Sequence, residues 1–196
     1  MLRCVIFDLD NTLVDSALDF SRIKAEIGTD QPILEYRAAV DPAEQRRVDE
    51  ILDRHESRAA ADCALCAGAR ELLDFLRVAG LRSALLTRNS RASVRTVLAR
   101  HTLAFDVVLA REDSPPKPDP EPVRIICRRL GLQPADCLMV GDYLYDIQCG
   151  QAAGGVGAHQ VQRRGGCRIR LQDPARFRRA LLGVELGPLV EHALRV

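Results

Sequence analysis

The sequence predicts an α/β protein in which a doubly wound parallel sheet carries a small helical cap inserted after its first strand. Three observations predict it. Short apolar runs of strand length alternate with amphipathic helices over the second half of the 196 residues, the pattern of a parallel sheet with crossover helices. A long, charged, helix-rich stretch separates the first such run from the rest and is too long for a single crossover. Apolar residues make up 47% of the chain but aromatics only 4%, with no Trp, so the core must be built from Leu, Val, Ile and Ala, as buried parallel strands are.

The elements follow in order. A first strand spans about Arg3 to Asp8, where an apolar run meets a polar turn. Beyond it, Val48, Ile51, Leu52 and His55 keep the i, i+3, i+4, i+7 spacing of an amphipathic helix, with Pro42 near its first turn. Gly68 to Val78 reads as another helix, with Leu72, Leu73 and Leu76 on one face and Gly80 as its stop. The alternation then runs as strand Arg82 to Leu86, helix Ser90 to Arg100, strand Asp106 to Ala110, helix Pro120 to Leu130 and strand Cys137 to Val140. Asp119 is the expected N-cap of the second of these helices and Gly131 its stop. Asp146 is expected to open a short helix ending near Gly154, and Val156 to Val161 to add one more strand. Helices are expected at Pro174 to Leu182 and Pro188 to Leu194. The expected division is an α/β core over 1–15 and 68–196, Rossmann-like in its winding, and a helical cap over 16–67.

A formal net charge of +1 argues against a nucleic-acid binder or a membrane-surface protein. No segment approaches the ~20 apolar residues of a membrane span, and an acid as early as Asp8 argues against a secretory leader. The sequence therefore predicts a cytoplasmic protein whose partners are small molecules; it implies no particular oligomeric state. Seven cysteines form no disulfide framework, and the C-x-x-C pair Cys63 and Cys66 lacks a second pair or a nearby His to complete a metal site. The arginines between Arg163 and Arg179, with few aromatics among them, read as a solvated basic face. Arg22, Lys24, Arg54, His55 and Arg58 in the cap read as surface charge, with contact to a substrate as the alternative.

Asp8 and Asp10 place two carboxylates at i and i+2 where a strand ends, the edge of an open α/β sheet at which ligands bind. Three more polar clusters follow core strands or join them: Thr87-Arg88-Asn89, Lys117-Pro118-Asp119-Pro120, and Gly141-Asp142 with Asp146. Parallel strands would bring all of them to one edge. Four acids beside one Lys and one Thr hydroxyl are unfavourable without a cation, and oxygen ligands favour a hard ion such as Mg²⁺. Mg²⁺ in turn commonly shares its carboxylates with a substrate phosphate. On this reading Asp8 attacks phosphorus, Asp10 transfers the proton to the leaving oxygen, Thr87 donates to the phosphate and Lys117 offsets its charge.

Phe7-Asp8-Leu9-Asp10-Asn11-Thr12-Leu13-Val14, Thr87, Lys117 within Lys-Pro-Asp-Pro, and Gly141-Asp142 with Asp146 resemble the four ordered motifs of the haloacid dehalogenase superfamily. The resemblance implies that Asp8 is the nucleophile, Asp10 the acid/base, Thr87 and Lys117 the phosphate-binding pair, and that Mg²⁺ is held at Asp8, Asp10, Asp142 and Asp146. Thr87, Arg88, Asn89 and Lys117 are the expected substrate-binding set. The helical insertion resembles the family's cap. An acid at Asp10 separates phosphatases from the dehalogenases, which lack one there, and the likeness is strongest to the phosphoglycolate phosphatase branch. Tyr143 stands where relatives often have Ser. The expected activity is Mg²⁺-dependent hydrolysis of a small phosphorylated metabolite through an aspartyl-phosphate. The alternatives are a phosphosugar mutase on the same scaffold and a non-catalytic binder of phosphorylated metabolites.

Overall fold

The computed structural model describes residues 2–163 and 166–170, with side chains through residue 155. The sheet is built from β1 (Cys4–Phe7), β4 (Arg82–Leu86), β5 (Val107–Leu109), β6 (Cys137–Gly141), β7 (Val156–Arg163) and β8 (Gly166–Arg170), in the spatial order β5-β4-β1-β6-β7-β8. The first five run parallel, and β8 pairs antiparallel with β7. The chain thus winds outward from β1 through β4 to β5, then returns to the other side of β1 for β6 and β7. Such a reversal opens a crevice at the carboxyl ends of the two strands flanking it, here β1 and β6.

The alternation of side chains along β1 divides the interior into two cores. Val5 and Phe7 pack with Leu85, Leu138 and Val140 beneath α4 (Ala69–Val78) and α5 (Arg91–His101). Cys4 and Ile6 pack with Ala84, Leu86 and Met139 beneath α6 (Glu121–Leu130) and α7 (Leu144–Ala152). A strand buried on both faces carries no polar residue until it leaves the sheet, so the first acid of β1 can appear only at its end.

Between β1 and β4, a two-stranded antiparallel ribbon of β2 (Val14–Asp15) and β3 (Ala64–Leu65) brackets three helices: α1 (Phe20–Ile27), α2 (Ile33–Ala39) and α3 (Pro42–Asp62). Ile23, Ile27, Ile33, Val48, Ile51 and Leu52 form a separate apolar cluster among them. Asp41 caps α3 by accepting from the Ala43 and Glu44 amides, with Pro42 in the first turn where its missing N–H is not needed.

Helices α4 and α5 begin one residue later than expected, at Ala69 and Arg91, and two further starts differ for a local reason. Helix α6 begins at Glu121, not Pro120. Proline offers no N–H to a cap, so the Asp119 carboxylate accepts instead from the Glu121 amide at 2.7 Å. Helix α7 begins at Leu144, and Asp146 lies inside its first turn, reaching back to the Tyr143 amide at 3.0 Å. The last parallel strand runs to Arg163 instead of Val161, and β8 is an edge strand that was not expected. The helices expected at 174–182 and 188–194, and the side chains of the arginine-rich face, lie outside the described residues. Among the described residues no helix is long and apolar enough to cross a membrane.

Candidate active site

Lys117 organises the site. Its ammonium is buried and uses all three protons: to Asp8 Oδ1 at 2.6 Å, to Asp146 Oδ1 at 2.5 Å and to the Leu86 carbonyl at 3.0 Å. It stands on the loop after β5, behind a cis Lys117–Pro118 peptide. Asp8 extends β1 by one residue, its amide donating to the Val140 carbonyl at 2.9 Å. The ladder therefore carries Asp8 into the β1/β6 crevice. Asp146 reaches the same point from the first turn of α7, and Gly141 makes room for it: a Cβ on Gly141 would lie 2.2 Å from the Asp146 carboxyl carbon.

Oxygens of Asp8, Asp142 and Asp146 lie within 4.8 Å of one another, and among the described residues this is the group of side chains able to hold a metal ion. The set fits a hard divalent cation. Its donors are all carboxylate oxygens, and three carboxylates against one ammonium leave two negative charges unbalanced. The imbalance shows in the acids. Burial pushes the Asp8 pKa well above the ordinary carboxylate range; Lys117 pulls it back, while Asp146, Asp10 and Asp142 push further. Asp142 is raised by burial and then by Asp146, with Asn11 opposing through a hydrogen bond. For Lys117, burial favours the neutral amine, but the Asp146 and Asp8 carboxylates hold its pKa above the usual lysine value.

Asp10, the fourth acid expected at the metal, is placed differently from the other three. Its carboxylate is not in the three-acid group; Oδ2 accepts from Asn89 Nδ2 at 2.6 Å. Asp10 lies beyond the end of β1, in a tight turn in which Asn11 takes a positive φ of 56°. Burial raises the Asp10 pKa, against the Asn89 hydrogen bond that lowers it.

The remaining expected residues gather on the same cavity, which Asp8, Asp10, Thr87, Arg88, Asn89, Lys117, Asp142 and Asp146 all line. Thr87 follows β4; its Oγ1 accepts from the Asn89 amide at 3.2 Å, leaving its own O–H to donate. Arg88 donates to the Lys117 carbonyl at 2.6 Å and to Glu35 Oε2 at 2.7 Å. Of the basic residues noted between β2 and β3, only Lys24 lines the cavity. Arg54 and His55 instead pair with Glu26. Cys63 Sγ sits 3.4 Å from His101 Nε2, and neither it nor Cys66 belongs to a metal-binding group among the described residues.

Sequence reasoning missed Glu56 and Arg111. Glu56, buried on α3, accepts from the Ser90 amide at 2.9 Å and from Arg111 Nη1 at 2.5 Å. Arg111 also donates to the Arg88 carbonyl at 3.3 Å. The position of Arg111 just beyond β5, at the functional edge, was an available signal. Nothing in its local sequence distinguishes Glu56 from the other acids of α3.

A doubly wound sheet with acids, a lysine and a threonine converging at its switch point defines an α/β enzyme site. Residues 2–154 match the haloacid dehalogenase-like hydrolases, and the chain belongs to that family. A haloacid dehalogenase-like hydrolase domain-containing protein of Arabidopsis thaliana is 34% identical over 167 residues, covering 78% of this chain and 68% of its own. The phosphoglycolate phosphatase of Nitrosospira multiformis is 30% identical over 182 residues, covering 78% of this chain and 80% of its own. The crystal structure of a hydrolase from Pseudomonas syringae shares the fold, with a TM-score of 0.66 at 20% identity over 79% of this chain and 83% of that one.

Proposed function

We propose that this protein is a Mg²⁺-dependent phosphatase that hydrolyses a small phosphate monoester through an aspartyl-phosphate on Asp8. The observation that carries the reading is the buried Lys117 bridging Asp8 and Asp146 within a three-carboxylate cluster. Asp8, Asp142 and Asp146 would hold Mg²⁺, which when bound neutralises charge on the acids and the phosphoryl group.

Asp8 attacks phosphorus, the ester P–O bond breaks, and the leaving oxygen takes a proton from Asp10. Water then attacks phosphorus, gives its proton to Asp10, and releases inorganic phosphate with Asp8 restored. The raised pKa of Asp10 suits the protonated form in which it must begin. Asn89 holds its carboxylate in place, and Thr87 and Lys117 bind the phosphoryl oxygens; Lys117, whose protons are all engaged, exchanges one of its present partners for them. The helical segment over 16–67 acts as the cap. The phosphoglycolate phosphatase of Nitrosospira multiformis supports the reaction class.

Phosphate release from a panel of phosphate monoesters tests the reading. Wild type should turn over at least one ester with Mg²⁺ and lose activity in EDTA, and Asp8→Asn should reduce kcat by ~10³-fold or more. Activity of Asp8→Asn equal to wild type on every ester would refute it.

A further inference from the structure

The cavity that holds Asp8 is larger than a phosphoryl group requires. Its volume is about 340 Å³, room for roughly eleven waters at ~30 Å³ each, of which a phosphoryl group displaces only a few. The outer wall has a chemistry of its own. Phe20, Pro32, Ile33, Leu34 and Leu52 supply one side of it, and Tyr143 and Tyr145 come from the turn after β6 and the start of α7.

Phe20 is 48% exposed and Tyr143 60%, two of the four exposed large apolar side chains among the described residues. In a chain with only five Phe, three Tyr and no Trp, their meeting on one cavity marks surface that a ligand covers. Tyr145 stands edge-on to Tyr143, with ring centroids 4.9 Å apart, and lies under the Arg88 guanidinium at 5.1 Å. These contacts hold the tyrosines in place before anything binds.

The two guanidiniums of this wall are already paired, Arg88 with Glu35 at 2.7 Å and Arg111 with Glu56 at 2.5 Å. Lys24 places one ammonium proton on the Asp30 carbonyl at 3.0 Å and keeps its charge. A second negative charge on the substrate would have Lys24 alone to meet it without breaking an ion pair, whereas a flat ring gains apolar surface without displacing any of these contacts. Building on the phosphatase reading, we propose that the substrate is a phosphate monoester whose leaving group carries an aromatic ring, seated against Phe20 and Tyr143.

Calorimetric titration of Asp8→Asn with Mg²⁺ present separates this from a small acidic leaving group. The probes are benzyl phosphate, methyl phosphate and 2-phosphoglycolate, which share one phosphate headgroup on an alkyl oxygen. Benzyl phosphate should bind at least about tenfold more tightly than either, equivalent to ~1.4 kcal/mol. Adding Phe20→Ala, at a half-exposed position, should bring the benzyl-to-methyl ratio below about threefold. Equal binding of benzyl and methyl phosphate, tighter binding of 2-phosphoglycolate, or a ratio unmoved by Phe20→Ala would each overturn the proposal. Wild-type turnover separates the two readings. Hydrolysis of methyl phosphate with no preference for the benzyl ester would sink the ring site and leave the phosphatase standing. Preferential benzyl binding with no ester hydrolysed would do the reverse.

Discussion

At Asp142 the demands of stability and of function oppose each other. Its pKa is raised first by burial and then by Asp146, so between the ordinary carboxylate value and the raised one the folded state binds more protons than the unfolded chain. Stability contributed by this group is therefore lost as pH rises through that window. In EDTA at neutral pH, Asp142→Asn should show a higher urea midpoint than wild type. The gain should reach at most about 1 kcal/mol, since solvent screens this half-buried position, and it should shrink as the pH approaches ~4. With Mg²⁺ present the order should reverse, because the variant lacks one of the oxygens proposed to hold the ion. A variant less stable than wild type in EDTA at pH 7 would contradict the idea that these acids repel.

Of the residues in the site, Asp8, Asp10, Thr87, Lys117, Asp142 and Asp146 were legible because each closes a strand or follows one, where polar residues interrupt an apolar run. The hydrogen bond that holds Asp10 was not, because its partner Asn89 lies 79 positions away.

At the scale of elements, α3 is tied to the loop that carries Thr87, Arg88 and Asn89. Glu56 accepts from Ser90 at the start of α5 and pairs with Arg111, and Ser93 Oγ donates to the Glu56 carbonyl at 3.4 Å. Burial raises the Glu56 pKa, with Arg111 the main opposing influence. Glu56→Ala takes from a largely buried guanidinium its shortest ion pair, leaving the exposed Asp53 at 3.2 Å, and leaves a buried amide without its partner. It should cost on the order of 3 kcal/mol in a urea titration and loosen Asn89 against Asp10, lowering kcat more than it raises KM. Unchanged stability would show that the existing Asp53 pair at 3.2 Å and solvent satisfy Arg111 at no cost. The existence of α3 to α7 was legible in the sequence and that of α1 and α2 was not, whereas the start of α6 was displaced by the proline at its head and that of α7 by a carboxylate reaching back one turn. These are side-chain-to-backbone choices that periodicity does not encode.

For the whole molecule, the sheet order places β1 between β4 and β6, so that acids from two strands and the lysine beyond β5 share one crevice. The protein folds with this repulsive cluster in place, and a ligand specific to the folded state should stabilise it. Mg²⁺ at 100 times its Kd should add about 2.7 kcal/mol, read as a concentration-dependent rise in Tm. The rise should be lost in Asp142→Asn. Ca²⁺, larger and less demanding in geometry, should raise Tm without supporting the turnover proposed for Mg²⁺.

The sequence by itself determined the strand and helix alternation and the chemistry at each strand end, because buried parallel strands exclude polar residues and so display them where the chain leaves the sheet. Tertiary structure alone decided which of four acids form one close group, that Glu56 and Arg111 brace the site, and that Phe20 and Tyr143 line the same cavity as Asp8. Each of these rests on contacts between residues far apart in the chain, and strand order, not local pattern, brings them together.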